Sequence, residues 1–219
     1  MPASVFDQLV GLSAGVLLLT SVLLVWKRSL IAAARLLAVQ GFALAALVAV
    51  IGVNDHDAQL IAVAGLVLAL KGFVLPWVLD RSRVRTGAVR EETPLMNTTA
   101  ALLALSLLTM LAYLVSQPLR VLVPGPTTAA VPVGISLVLY GFLLLTTRRH
   151  AISQLVGFLV LDNGIATVAF LTSGGVPFVV ELGASLDVLL VVLILRVLTS
   201  RMTAKFGGAD LDELMELRD

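Results

Sequence analysis

The sequence predicts an all-α fold: a polytopic membrane protein of about seven transmembrane helices, N-terminus outside and C-terminus cytoplasmic. Three observations predict it. The 219 residues are 59% hydrophobic and only 13% charged, with a mean hydropathy of +1.04, far from the balance of a chain that folds in water. The charges gather in short clusters separated by apolar runs of about 20 residues, the length a helix needs to cross roughly 30 Å of hydrocarbon. Runs of that length read as helices, since barrel strands are about half as long and alternate in polarity.

The first span covers residues 5–26 and is followed by Lys27 and Arg28. No basic residue precedes it, which is unlike a secretory signal, so this helix is expected to be retained. The second, 30–53, ends at Asn54, Asp55, His56 and Asp57, and the third, 58–79, runs into the charged stretch Asp80 to Glu92. The fourth, 98–116, is closed by a loop from Pro118 to Pro126, and the fifth, 128–147, by Arg148, Arg149 and His150. The sixth, 151–172, meets Gly174, Gly175 and Pro177 before the seventh, 178–199.

Every second connection is basic: Lys27 and Arg28, then Arg81 to Arg90, then Arg148 and Arg149, then Arg201 and Lys205. The positive-inside rule gives the stated orientation. Trp26 and Trp77 both fall at predicted cytoplasmic helix ends, where indoles favour the headgroup layer. A weak similarity links WKRSLIAAARLLAVQGFALAAL, from Trp26, to TRRHAISQLVGFLVLDNGIATVAF, from Thr147: a basic pair, then a polar interruption about a dozen residues later. The chain therefore divides into an N-terminal three-helix unit with its cytoplasmic loop (1–97), a linking helix (98–127), a second three-helix unit (128–200) and a cytoplasmic tail (201–219).

Catalytic apparatus is not visible. There is no cysteine to bind an iron–sulfur cluster or zinc, no phosphate-binding glycine loop, no HExxH, and two histidines that both lie in loops. No catalytic residue, metal or cofactor is expected in this chain, so any redox centre belongs to another chain. Lipid is the expected surrounding, and nucleic acid is not a partner, because the basic residues flank membrane spans rather than form one surface.

What remains informative is charge at membrane depth, where a lysine or aspartate at a helix centre costs about 2.5 to 3.5 kcal/mol. Asp162 sits mid-way along the sixth span, Asp187 near the middle of the seventh, and Lys71 somewhat cytoplasmic of the middle of the third. They fit either a buried ionic cluster that fixes helix register or a proton relay. Lys71 is followed by Gly72 and by Pro76, whose missing N–H would deprive the Gly72 carbonyl and kink the helix beside its lysine. Asn163 and Gly164 follow Asp162, so this helix is expected to loosen there, with Asn163 holding a water; close packing is the alternative for Pro76 and Gly164. Glu181 lines an exit route or touches headgroups, while Arg35 and Arg196 are near cytoplasmic ends and read as anchors. Past Gly207 and Gly208, ADLDELMELRD reads as a short acidic amphipathic helix able to dock a partner, or as a solvated tail.

The stretch RRHAISQLVGFLVLDNGIATVAFLTSGGVPFVVELGASLDVLLVVLILRVL, from Arg148, together with LLAVQGFALAAL and LALKGFVLPWVLDR, resembles the membrane component E of hydrogenase-4 and formate hydrogenlyase complexes. Its last three predicted helices are also similar to the K-type subunit of complex I and the C-type subunit of multisubunit sodium/proton antiporters. Those relatives carry one carboxylate in the second helix and one in the third. Gly157 and Asn163 match the K-type glycine and asparagine, but the K-type glutamate position falls at Leu159 and the carboxylate appears one turn later, at Asp162. Component E proteins typically have Glu-Asn-Gly where this chain has Asp162, Asn163 and Gly164. One turn keeps the helix face but changes depth.

The resemblance implies a non-catalytic subunit in the plasma (inner) membrane of a prokaryote, within a complex I-like assembly of nickel-iron hydrogenase type. It also implies antiporter-like and quinone-site-like membrane subunits as neighbours, and a proton relay through Lys71, Asp162 and Asp187. Two other functions fit the same residues: a bridging subunit with no ion conduction, and a subunit of an antiporter-like transporter lacking a redox module. A free-standing small transporter finds no substrate-sized set of polar residues.

Overall fold

The computed structural model describes residues 1–27, 29–79, 96–148 and 151–173, and these are all-helical, with six helices long and apolar enough to cross a membrane. They are α1 (Ala3–Trp26), α2 (Leu30–Asn54), α3 (Ala58–Leu79), α4 (Thr98–Leu122), α5 (Pro126–Thr147) and α6 (Ala151–Ser173). The stretch Asp80 to Glu92, the predicted seventh span with Glu181, Asp187 and Arg196, and the tail lie outside the described residues.

Short polar side chains start the helices. The Ser29 hydroxyl accepts from the Ala32 N–H, the Asn97 carbonyl oxygen from the Ala100 N–H, and the Asp57 carboxylate from Gln59 and Leu60. Between α2 and α3 the chain reverses over Asp55, His56 and Asp57, with His56 at φ 55 in the left-handed region. Here that one residue provides the reversal that glycine usually supplies.

One boundary differs from the sequence reading. The expected loop from Pro118 is helix as far as Leu122, so the α4–α5 link is only residues 123–125. Proline removes a single backbone bond, and the helix continues past it through Leu122, where the Val123 N–H still donates to the Leu119 carbonyl.

α1 packs against α2 and α5, α2 also against α3 and α6, and α5 against α6. α4 lies at the periphery with Leu105, Ala112 and Ser116 turned inward, tied to α5 where Thr109 meets the Tyr140 hydroxyl. Its outer surface is mostly apolar, with Leu107, Met110 and Leu114 all exposed, and the exposed polar groups Gln117 and Arg120 lie in its C-terminal turns. Trp26 and Trp77 are also exposed, at the C-terminal ends of α1 and α3.

The α5–α6 seam is closed by glycine. Gly134 and Gly141 on α5, and Gly157 and Gly164 on α6, are each seven residues apart, the repeat that keeps one face toward a neighbouring helix. A Cβ on Gly141 would sit 2.5 Å from the Leu161 Cβ, and one on Gly164 would sit 2.5 Å from the Val138 nitrogen. At the predicted cytoplasmic end, the buried Arg148 guanidinium donates from Nη2 to the Val25 carbonyl at 3.0 Å. That carbonyl belongs to the last turn of α1, where a cation both satisfies a group without a helical partner and complements the helix dipole.

Buried apolar residues form two clusters. One includes Leu17, Ala43, Val67 and Ala166, and the other Leu24, Leu37, Leu75 and Val160. Along each of α1, α2, α3 and α6, the residues between the two clusters include the polar ones: Ser21, Gln40, Lys71, and Asp162 with Asn163. A polar layer thus crosses the bundle at mid-depth.

Candidate functional site: a polar layer at mid-bundle

Lys71 reaches the layer from a helix that is not α-helical at that point. From Leu68 to Val74, α3 winds as a π-helix, and the Leu75 N–H donates to the Leu70 carbonyl five residues back. The sequence reading expected Pro76 to disturb the helix by depriving the Gly72 carbonyl. In the π register the carbonyl facing Pro76 is instead that of Lys71, since Leu70 is already taken by Leu75. Proline therefore marks the end of the widened segment, and the buried Pro76 packs one turn from the lysine it was expected to affect.

Lys71 is 4% exposed, and its Nζ lies 2.7 Å from Oδ2 of Asp162, itself 16% exposed. Oδ2 is fully enclosed and takes no conventional hydrogen bond beyond that ammonium contact, whereas the carboxylate as a whole retains some exposure. Two oppositely charged groups from α3 and α6 are thus brought together within the apolar bundle. Separating them would leave a charge in a medium that solvates it poorly.

Asp162 and Asn163 are consecutive on α6 and point about 100° apart. The first meets α3. The second, buried, donates from Nδ2 to Oε1 of Gln40 on α2 at 3.1 Å. Gln40, 0% exposed, donates in turn from Nε2 to the Ser21 hydroxyl of α1 at 2.6 Å, and Ser21 donates to the Leu17 carbonyl at 2.8 Å. The Thr167 hydroxyl closes the α6 side on the Asn163 carbonyl at 2.6 Å.

The loosening expected of α6 at Asn163 and Gly164 is absent. The helix is continuous from Ala151 to Ser173, and Gly164 lets the α5 backbone approach; close packing, the alternative in the sequence reading, is what this glycine does. Gly41, next to Gln40, does the same for α3: a Cβ there would fall 2.4 Å from the Lys71 carbonyl carbon and oxygen. Just outside this contact Phe42 and Phe73 pack edge to face, their centroids 5.0 Å apart.

Of the predicted site residues, the structure brings Lys71 and Asp162 into contact, joins Asn163 to Gln40, turns Gly164 to α5 and sets Pro76 below Lys71. Glu181 and Asp187 lie outside the described residues. Gln40, Ser21 and Gly41 were not singled out from sequence. An amide in the middle of a span was the available signal for Gln40, already present as the polar interruption of the first repeat-like segment.

The chain is 53% identical over 215 residues, 98% of each chain, to the uncharacterized protein Rv0085 of Mycobacterium tuberculosis. It is 22% identical over 212 residues to hydrogenase-4 component E of Escherichia coli, covering 97% of this chain and 98% of the relative. The component of the same name in Shigella flexneri gives the same figures. No family model and no solved structure matches.

Proposed function

We propose, from the premise that this chain belongs to the family of the Mycobacterium tuberculosis protein Rv0085, that it is a membrane subunit of a hydrogenase-type, complex I-like assembly and takes part in its proton translocation. Support for the assembly is the similarity to hydrogenase-4 component E along nearly the whole chain, with a bundle of membrane-length helices as its setting. Support for proton handling is one observation: the Lys71–Asp162 ion pair, 2.7 Å long, at mid-bundle on a π-helical segment. Ionisable groups at membrane depth are costly and are kept chiefly for function, and π segments occur often at functional sites.

In this reading the chain is itself non-catalytic. It resides in the plasma membrane of a prokaryote beside antiporter-like and quinone-site-like subunits, and chemistry elsewhere in the complex shifts the proton between the Lys71 and Asp162 side. Asp187 and Glu181 extend the route along the predicted seventh span, and the acidic tail docks a neighbour. The helices fall into two three-helix units, 1–97 and 128–200, linked by 98–127; contacts of α1 with α5 and of α2 with α6 support a paired arrangement.

Asp162→Asn in the assembled complex tests the proposal, with proton uptake into inverted vesicles measured during turnover. Loss of most of the uptake with the complex intact is expected. Unchanged uptake with normal assembly would overturn the relay. A complex that fails to assemble favours a bridging role, the reading that the Asn163–Gln40–Ser21 ties between α6, α2 and α1 support.

A further inference from the structure

We propose that the dipeptide Gln40–Gly41 of α2 is a clamp that fixes the contact between Lys71 and Asp162, with Gln40 as a positioning residue for Asp162; this rests on the reading that the ion pair handles protons. Consecutive residues of a helix face neighbours about 100° apart, so one dipeptide can address two helices. Gln40 holds α6 through Asn163, the residue next to Asp162, while Gly41 holds α3 at Lys71 itself. Both members of the ion pair are therefore referenced to the same turn of α2.

The two halves hold by different means. On the α3 side the contact is backbone on backbone: the positions that a Gly41 Cβ would invade belong to the Lys71 carbonyl, at 2.4 Å, and the Gly72 nitrogen, at 2.5 Å. No rotamer change relieves such a contact. The glycine hydrogen that stands where a side chain would begin points at the Lys71 carbonyl, the group that faces the missing N–H of Pro76, and is suited to a weak Cα–H···O contact there.

On the α6 side the amide of Gln40 is oriented by what surrounds it. Ser21 gives its proton to the Leu17 carbonyl, leaving its lone pairs to accept from Gln40 Nε2, and Gln40 Oε1 then faces the Asn163 amide nitrogen. Turning the Gln40 amide over would set two NH2 groups against each other. The chain of donors runs one way and ends at a backbone carbonyl, and neutral amides do not pass protons on without changing tautomer. Its consequence is positional: with Asn163 held, the direction in which α6 presents Asp162 is held too.

Because Gly41→Ala presses a methyl into backbone, the test is made on Gln40, in the full chain within its complex. The sequence has no cysteine. Nitroxide labels at Phe73→Cys and Ile165→Cys, both more than half exposed, therefore report the α3–α6 separation without background. Gln40→Leu should widen the distribution of that separation, shift the infrared carboxylate band of Asp162 (identified by its loss in Asp162→Asn), and slow proton uptake about tenfold, as misplaced reacting groups do. The exchange Gln40→Asn with Asn163→Gln, which keeps the summed side-chain length, should restore all three toward the unmodified values.

An unchanged label separation and an unchanged Asp162 band in Gln40→Leu would overturn the clamp. So would a double exchange that restores nothing. Normal proton uptake in Asp162→Asn would overturn the functional reading instead. The label separation would still judge the clamp, since it does not depend on proton transfer.

Discussion

α6 is held on two sides in contrasting ways. Toward α5 it meets a seam of four glycines with no charged residue, where a Cβ on any of the four would come within 2.5 to 2.9 Å of the facing helix. Toward α2 and α3 it meets the amide of Gln40 and the ammonium group of Lys71, with hydrogen-bonding side chains bridging the gaps. The first kind of contact has one geometry, because backbone cannot swing aside. The second depends on side chains staying paired, because an unpartnered charge or amide inside the apolar bundle is costly. This contrast makes the α5–α6 contact one of shape alone and places the ionisable groups on the side that faces α2 and α3.

The sharpest way to break the contrast is to fill the seam. Gly141→Leu would push four carbons into space already occupied by the Leu161 backbone and Cβ, so α5 and α6 would have to separate along their length. Overpacking a tight interior typically costs about 1 to 3 kcal/mol, and a clash with backbone lies at or beyond the upper end. The expected outcome is loss of folded protein, read as recovery of monodisperse chain after extraction. A Gly141→Leu variant of undiminished yield and thermal midpoint would show the seam to be loose.

An effect of comparable size is expected on the polar side, and its signature is non-additivity. Asp162→Leu leaves the buried Lys71 ammonium without the carboxylate that lies 2.7 Å away, and removing one member of a buried pair costs about 3 to 5 kcal/mol. The partial exposure of Asp162 favours the lower figure. Lys71→Met combined with Asp162→Leu removes both charges, and should recover at least half of the lost stability by unfolding in detergent. A double variant as unstable as the sum of the two single ones would mean that the charges are coupled to other groups more than to each other.

Much of this was legible from hydropathy. Apolar runs of membrane length, and the polar breaks at Lys27, Asp55 and Arg148, placed five of the six described helices within a few residues. Hydropathy misjudged the end of α4 at Pro118, because one missing backbone bond does not stop a helix whose other backbone bonds remain. Lys71 and Asp162 stood out since charge in hydrocarbon is expensive, and their joining in an ion pair was among the alternatives. Gln40 did not, as a neutral amide carries no charge and needs no counter-ion at membrane depth, and its importance comes from meeting Ser21 and Asn163, which only three-dimensional packing provides. The seam was written as the seven-residue spacings 134 to 141 and 157 to 164, but a glycine repeat does not say which helix it will face.

The smallest effect sharpens the comparison from outside the core. Gly11 and Gly15 lie one turn apart on the exposed face of α1, and a Cβ on either would meet nothing within 4 Å. Glycine in a helix costs roughly 0.5 to 1 kcal/mol relative to alanine, so Gly11→Ala and Gly15→Ala should each leave the isolated chain unchanged or stabilise it by up to that amount. The same substitution at Gly164, where the added methyl meets the Val138 nitrogen at 2.5 Å, should have the opposite sign. Thermal midpoints of the three variants in one detergent decide it. If all three fall together, glycine acts in these helices through the flexibility of its own backbone; if only Gly164→Ala falls, closeness of the neighbouring helix is what each seam glycine secures.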